Sequence, residues 1–203
     1  MSVVTEYTED NRPEAFTQQG LGWKPWLQPL AEDELTEQQR ASLLDDFRVK
    51  SPYFRLLVRN PEALLARTLV DKDIFYNVTS GLPRADREIA ASAASRVNGC
   101  VYCASVHTGR ATKESGREED VQKLLDEGVD ADLGEPWSAI SQASAALTRT
   151  PSEFGSEQIQ QLKDAGLDDA DIMDVIYGAA FFNWANRLML SLGEPEVPSR
   201  ARK

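Results

Sequence analysis

Between Pro83 and Asn98 the chain reads as one helix with Ile89, Ala90, Ala93, Ala94 and Val97 along one side. Side chains this small let a neighbouring helix approach closely, so such a helix belongs at the centre of a bundle. Asn98-Gly99 is a C-terminal stop. A second helix is expected from at or near Cys100 to about Thr112. The fold class is thereby narrowed to closely packed helices.

The rest of the chain agrees. Residues 1 to about 22 are polar and broken by Pro13, Gly20 and Gly22, which predicts an extended arm. The arm ends in Trp23-Lys24-Pro25-Trp26-Leu27-Gln28-Pro29-Leu30. The prolines bar a regular helix there, yet the indoles need apolar surroundings. Two placements satisfy both: a loop clamped on its own core, or an arm laid on a neighbouring subunit or over an active site. Thr36 and Glu37-Gln38-Gln39 resemble an N-cap and first turn, followed by the apolar stripe Leu43, Leu44 and Phe47. Pro52 and Asn60-Pro61 start further helices, the second carrying Leu64, Leu65, Thr68, Leu69, Ile74 and Phe75 at three- and four-residue steps. Helices are also expected around Val121 to Leu125, from Pro136 to Thr148, after a Ser156 cap, and from an Asp168 cap to Gly193. No segment alternates convincingly with period two, so the expectation is an all-α bundle with a single core. Residues 1–50 would form the arm and first helix, 51–193 the helical domain, and 194–203 a tail whose Arg200, Arg202 and Lys203 are a solvated end.

At 203 residues, with 41% hydrophobic and 27% charged residues, the composition is that of a soluble globular protein. The net charge of -11 leaves no basic stripe for nucleic acid and disfavours anionic membrane surfaces. No apolar run is long enough to span a bilayer, and the N-terminus lacks the pattern of a secretory signal, so a cytoplasmic setting is expected.

Chemistry is concentrated in one place. The chain has two cysteines and one histidine, and all of them fall at Cys100, Cys103 and His107. On a helix these positions lie at about 0°, 300° and 340°, a single narrow face. Cys100 would sit at the N-cap and Cys103 in the first turn, where free N–H groups and the positive dipole end favour thiolate. A pair at this spacing can close into a disulfide and reopen, and His107 can exchange a proton with a thiol. Other readings stay open on the residues alone. A zinc site would need a fourth ligand, for which Glu88 is the candidate. The pair could also be inert core thiols. A c-type haem attachment would need His directly after the second Cys, where Ala104 stands. Glu88 by itself reads as a solvated first-turn carboxylate.

Arg87-Glu88, Cys100-Val-Tyr-Cys103 and His107, at these spacings, resemble the core motif of AhpD-like alkylhydroperoxidases in the carboxymuconolactone decarboxylase superfamily. Leu147-Thr-x-x-Pro151, Leu162-x-x-Ala-Gly166-Leu167 and Phe182-Asn183-x-x-Asn186-Arg187 resemble later parts of the same fold, so the likeness covers roughly residues 53–193. The tryptophan–proline arm is similar to the extension of a peroxidase-related subgroup. The resemblance implies an AhpD-like helical bundle and a hydroperoxide substrate. It implies Cys103 as the peroxidatic thiol, Cys100 as the resolving thiol, and His107 with Glu88 as a proton relay, with Tyr102 as packing or site lining. It further implies a homo-oligomer, trimer or hexamer, and re-reduction by a lipoyl-bearing or thioredoxin-like dithiol protein. No haem, flavin or metal cofactor is implied. A cofactor-free decarboxylase using His107 and Glu88, and a non-catalytic redox sensor, are the alternative functions.

Overall fold

The computed structural model describes residues 4–7, 11–77 and 79–198; the basic C-terminal residues named above lie outside them. The chain runs through a short strand β1 (Gly22–Pro25), then helices α1 (Glu37–Leu43), α2 (Asp46–Lys50), α3 (Pro52–Leu57) and α4 (Pro61–Tyr76). It continues as α5 (Arg84–Val97), α6 (Val101–Ser115), α7 (Glu118–Glu127), α8 (Trp137–Thr148), α9 (Ser156–Asp164) and α10 (Asp169–Leu192), and closes with strand β2 (Gly193–Glu196). The architecture is all-α, with one two-stranded ribbon among the described residues.

Helix α5 is the axis on which the others pack, touching α6, α8 and α10 along its length. Ala90, Ala91, Ala93 and Ala94 are fully enclosed, which is what small side chains on more than one face permit. Ala91 and Ala94 meet Ala179, Phe182 and Ala185 of α10, while Ile89 and Ala90 join Val121, Trp137, Ile140 and Val175 in the larger core. The turn from α5 into α6 is two residues long in effect. Asn98 closes α5 through its N–H to Ala94, and Gly99 takes the left-handed conformation at φ 73°. A side chain at that φ would be strained. Cys100 then becomes the N-cap of α6.

Local chemistry sets the helix starts. Thr36 Oγ1 accepts from the Gln39 N–H at 3.3 Å while Gln39 Oε1 accepts from the Thr36 N–H at 3.0 Å, a reciprocal capping box. Asn60 caps α4 ahead of Pro61, and Asp168 caps α10 by accepting from the N–H groups of Ala170 and Asp171. The cap of α9 is Gly155 rather than Ser156, which is the first helical residue. The expected stripe Leu43, Leu44 and Phe47 is not one face. Leu43 is fully buried, but Leu44 turns out of α1 at φ 67° and is exposed, and Phe47 is 70% exposed. The reason is Asp45, whose carboxylate caps a new helix, α2, and ends the periodicity at Leu43.

The ribbon was invisible to a search for alternation, because its strands are four residues each and both carry proline. Gly22 pairs with Glu196 and Pro25 with Gly193, antiparallel. At Gly193 a Cβ would stand 2.2 Å from the Lys24 carbonyl oxygen and within the Trp23 ring, so no other residue fits there. The ribbon holds Trp23 edge-on against Tyr53 of the same chain, with ring centroids 5.5 Å apart. Among the described residues, no helix is long and apolar enough to cross a membrane.

Trp137 Nε1 donates to Asp86 Oδ1 at 2.7 Å, tying α8 to the first turn of α5. Burial raises the Asp86 pKa above the usual carboxylate value, against the lowering effects of the Trp137 hydrogen bond and Arg117. The folded state therefore binds the Asp86 proton more tightly than the unfolded chain does, and this contribution to stability is lost as pH rises through the folded pKa. Urea denaturation of wild type and Asp86→Asn at a series of pH values should show the Asn protein gaining relative to wild type as pH is raised from the acid range. A pH-independent difference would contradict this.

Candidate active site

The α5–α6 hairpin presents Glu88, Cys100, Cys103 and His107 to one region, and all of the residues expected to form a site are brought together. Cys100 and Cys103 are 1% and 5% exposed, and their sulfurs are bonded to each other with Cα atoms 5.4 Å apart. The pair packs with Tyr53 and Met189. Cys103 and His107 border a cavity of about 180 Å³, whose floor and walls include Glu88, Phe75, Phe182 and Met189.

Glu88 departs from its solvated reading. It is 1% exposed, because it lies one turn into α5 on the side that faces α6. A carboxylate so enclosed needs partners on both oxygens. Oε1 accepts from Arg84 Nε, four residues earlier on the same helix, and Oε2 is hydrogen bonded to His107 Nδ1. Arg84 also donates to the Phe75 carbonyl oxygen and lies over the Tyr76 ring, 4.3 Å from its centroid. The imidazole is clamped between Phe75 and Phe182, with centroids at 5.5 and 4.0 Å. An ionised Glu88 accepting the Nδ1 proton leaves the lone pair on Nε2, the nitrogen able to act as a base toward the cavity.

The supporting shell explains the later motifs. Ser95 Oγ donates to Asn186 Oδ1 at 3.1 Å and Asn98 Nδ2 donates to Asn183 Oδ1 at 3.1 Å, fastening the end of α5 to α10. Arg87, 3% exposed, donates to the carbonyl oxygens of Ile74, Ser80 and Leu82 and pairs with Asp174 at 3.0 Å, so it anchors the loop before α5. Tyr102 lines the cavity as a wall residue. Burial pushes the Tyr102 phenol up, and the Tyr53 phenol likewise, against a smaller lowering by Arg67, so both hydroxyls stay protonated at ordinary pH. Among the described residues, no three His, Cys, Asp or Glu side chains converge as a metal-binding set.

Sequence reasoning left out Arg84 and Tyr53. The four-residue step from Arg84 to Glu88 was a readable signal of a helical ion pair. Tyr53 carried none, since it reaches the cysteines from a separate short helix, α3.

Residues 61–148 match the model of the carboxymuconolactone decarboxylase family. Over that segment, somewhat less than half of its length, the chain is similar to this family. The matched segment starts with the first residue of α4 and ends with the last of α8, and so contains Glu88, Cys100, Cys103 and His107. Among solved structures, the chain is similar to an uncharacterized peroxidase-related protein with an alkylhydroperoxidase AhpD core from Ralstonia eutropha JMP134. The TM-score is 0.68 at 20% identity, over 80% of this chain and 87% of that one. An uncharacterized peroxidase-related protein from Silicibacter sp. TM1040 also scores 0.68, at 24% identity over 83% and 89%. The debrominase Bmp8 scores 0.68 at 17% identity over 86% and 93%. These likenesses show a shared helical fold. Among curated protein sequences none matches significantly.

Two outcomes follow from the buried triad. Glu88→Ala would leave Arg84 enclosed without its partner and should cost about 3–5 kcal/mol of stability, read as a shift in denaturant midpoint. In the reduced protein, His107→Gln should slow alkylation of Cys103 at neutral pH by at least about tenfold, followed by mass spectrometry. Equal alkylation rates would show that His107 does not activate the thiol.

Proposed function

We propose that this protein is a cysteine-dependent hydroperoxide reductase working through a Cys100–Cys103 dithiol–disulfide cycle. The observation that carries the reading is the hydrogen bond between buried Glu88 and His107 beside a cavity that Cys103 borders, with Cys100 within bonding reach of Cys103. In the reduced enzyme His107 Nε2, directly or through a water, takes the Cys103 proton. The thiolate attacks one oxygen of the hydroperoxide, the O–O bond breaks, and the alcohol leaves with a proton returned by His107. Cys103 is then a sulfenic acid. The Cys100 thiol attacks its sulfur, its proton passing to the leaving hydroxyl, so that the disulfide forms and water is released. Both electrons come from the dithiol, and an external dithiol protein, lipoyl-bearing or thioredoxin-like, restores it by exchange.

Glu88 serves throughout as the group that orients His107 through its Nδ1 and stabilises the protonated imidazole. The near-complete burial of Cys103 supports a substrate small enough to enter the cavity that it borders. A cysteine-to-alanine variant of the debrominase Bmp8, which has a similar fold, forms a complex with 2,3,4-tribromopyrrole, so debromination is a second reading for a fold of this kind. For the present chain the paired thiols favour peroxide reduction, because the second thiol can resolve the sulfenic acid that the first is left with.

The proposal includes a homo-oligomer in a reducing, cytoplasmic setting. Its support is the exposed apolar face of α10, where Met173, Tyr177 and Trp184 are 42%, 56% and 47% accessible at helical spacing.

The test is consumption of a small alkyl hydroperoxide with a dithiol reductant. Cys103→Ser should lose turnover to background. Cys100→Ser should complete one turnover and then stall with Cys103 trapped as a sulfenic acid, detectable by a dimedone adduct. If Cys103→Ser retains wild-type turnover, the reading is wrong.

A further inference from the structure

The cavity has a second chemical end. Several buried polar side-chain atoms of the described chain have no hydrogen-bond partner, and those that border the cavity belong to three residues: Nε and Nη1 of Arg67, Nε of Arg48 and the hydroxyl of Tyr53. The remaining ones, on Trp23, Arg55, Thr68, Ser144 and Asn186, lie elsewhere. Unsatisfied donors are therefore gathered on one wall, formed by α2, α3 and α4.

Arg67 is the centre of this wall. It is 7% exposed, and its Nε and Nη1 have no hydrogen-bond partner. The nearest carboxylate oxygen, on Asp71, stands 3.9 Å from Nη1, outside hydrogen-bonding distance. Phe54 and Phe181 hold the guanidinium carbon at 5.4 and 5.1 Å from their ring centroids. These ring contacts fix its position and engage none of its N–H groups. An enclosed arginine with idle donors is costly to a fold unless something else satisfies them. Arg48, 6% exposed, lies beside it and shares Asp71 at 3.3 Å, while its other carboxylate, Asp45, is 37% exposed at the surface. The carboxylate charge inside the wall is therefore less than the guanidinium charge. Tyr53 links this wall to the reaction centre, because its ring packs on the cluster of Cys100 and Cys103 while its hydroxyl, influenced by Arg67, stays protonated.

We propose that Arg67, with Arg48 and the Tyr53 hydroxyl, forms a carboxylate-binding subsite of the Cys103 cavity, so that the substrate is a small organic acid. Its apolar body lies against Phe75, Phe182 and Met189, and its anionic head takes the fork of Arg67 donors. Arginine suits this task because its planar N–H groups match a carboxylate bidentately. The size agrees. About 180 Å³ is below the usual ~300–1,000 Å³ of drug-sized pockets, which selects a compact acid over a long-chain lipid. The inference rests on the reductase reading for what is reduced, but not for what is bound.

The test separates the two. Calorimetric titration of the oxidised wild-type protein, which turns nothing over, uses benzoate and its neutral isostere benzamide as probes. Benzoate should bind at least about tenfold tighter than benzamide. Arg67→Met should bring benzoate to the level of benzamide at little cost in stability, because the Nε and Nη1 donors it removes have no partner in the fold. Tyr53→Phe, which deletes one oxygen and leaves the ring on the cysteines, should weaken benzoate several-fold and leave benzamide less affected, and it decides the matter if Arg67→Met does not fold. Equal binding of the two probes, no binding of either, or benzoate binding undiminished in the variants would overturn the subsite. Arginine-dependent benzoate binding in a protein that consumes no hydroperoxide would sink the reductase reading alone.

Discussion

The buried carboxylate of Glu88 is the constraint on which the rest of the structure depends. A carboxyl side chain at 1% exposure inside an alanine-rich helix needs partners for both oxygens, and these come from different directions. Arg84 arrives from the same helix and His107 from the next. For His107 to reach it, α5 and α6 must pack closely and in one rotational setting. The fully enclosed alanines of α5 and the left-handed turn at Gly99 provide this. Placing Cys100 at the N-cap and Cys103 in the first turn of α6 is then a consequence of the same setting.

Around that hairpin the molecule divides its labour. Helix α10 holds the far side through Asn183 and Asn186 and supplies Phe182 to pin the imidazole. Arg87 fixes the loop before α5 by taking three carbonyl oxygens, so the helix that bears Glu88 begins in a defined place. The N-terminal helices close the cavity with Tyr53, Phe54, Arg48 and Arg67, and the terminal ribbon presses Trp23 behind Tyr53. The cavity thus has Cys103 and His107 on the hairpin, and Arg48 and Arg67 on α2 and α4.

How much was legible in the sequence varied with how local the cause was. Capping residues at Thr36, Asn60 and Asp168, the stop at Asn98-Gly99 and the single face shared by Cys100, Cys103 and His107 act within one or two turns, and they were readable. Leu44 and Phe47 misled because a second cap, Asp45, interrupts the stripe, and apolar spacing does not register a change of axis. The ribbon escaped because two four-residue strands with prolines carry no alternation. Glu88 was readable as a partner of His107 only through family resemblance. Its own spacing spoke equally well for a solvated first-turn acid.

By itself the sequence determined the helical class, the central place of the alanine-rich helix and the concentration of thiol and imidazole chemistry at the start of α6. These follow from periodicity, side-chain size and turn chemistry, all carried by neighbouring residues. Only the tertiary structure decided that Glu88 is buried between Arg84 and His107, that Tyr53 backs the cysteines, and that Arg67 stands with idle donors at the edge of the cavity. Burial and partner choice depend on which surfaces of distant segments meet, and no local pattern in the chain records that.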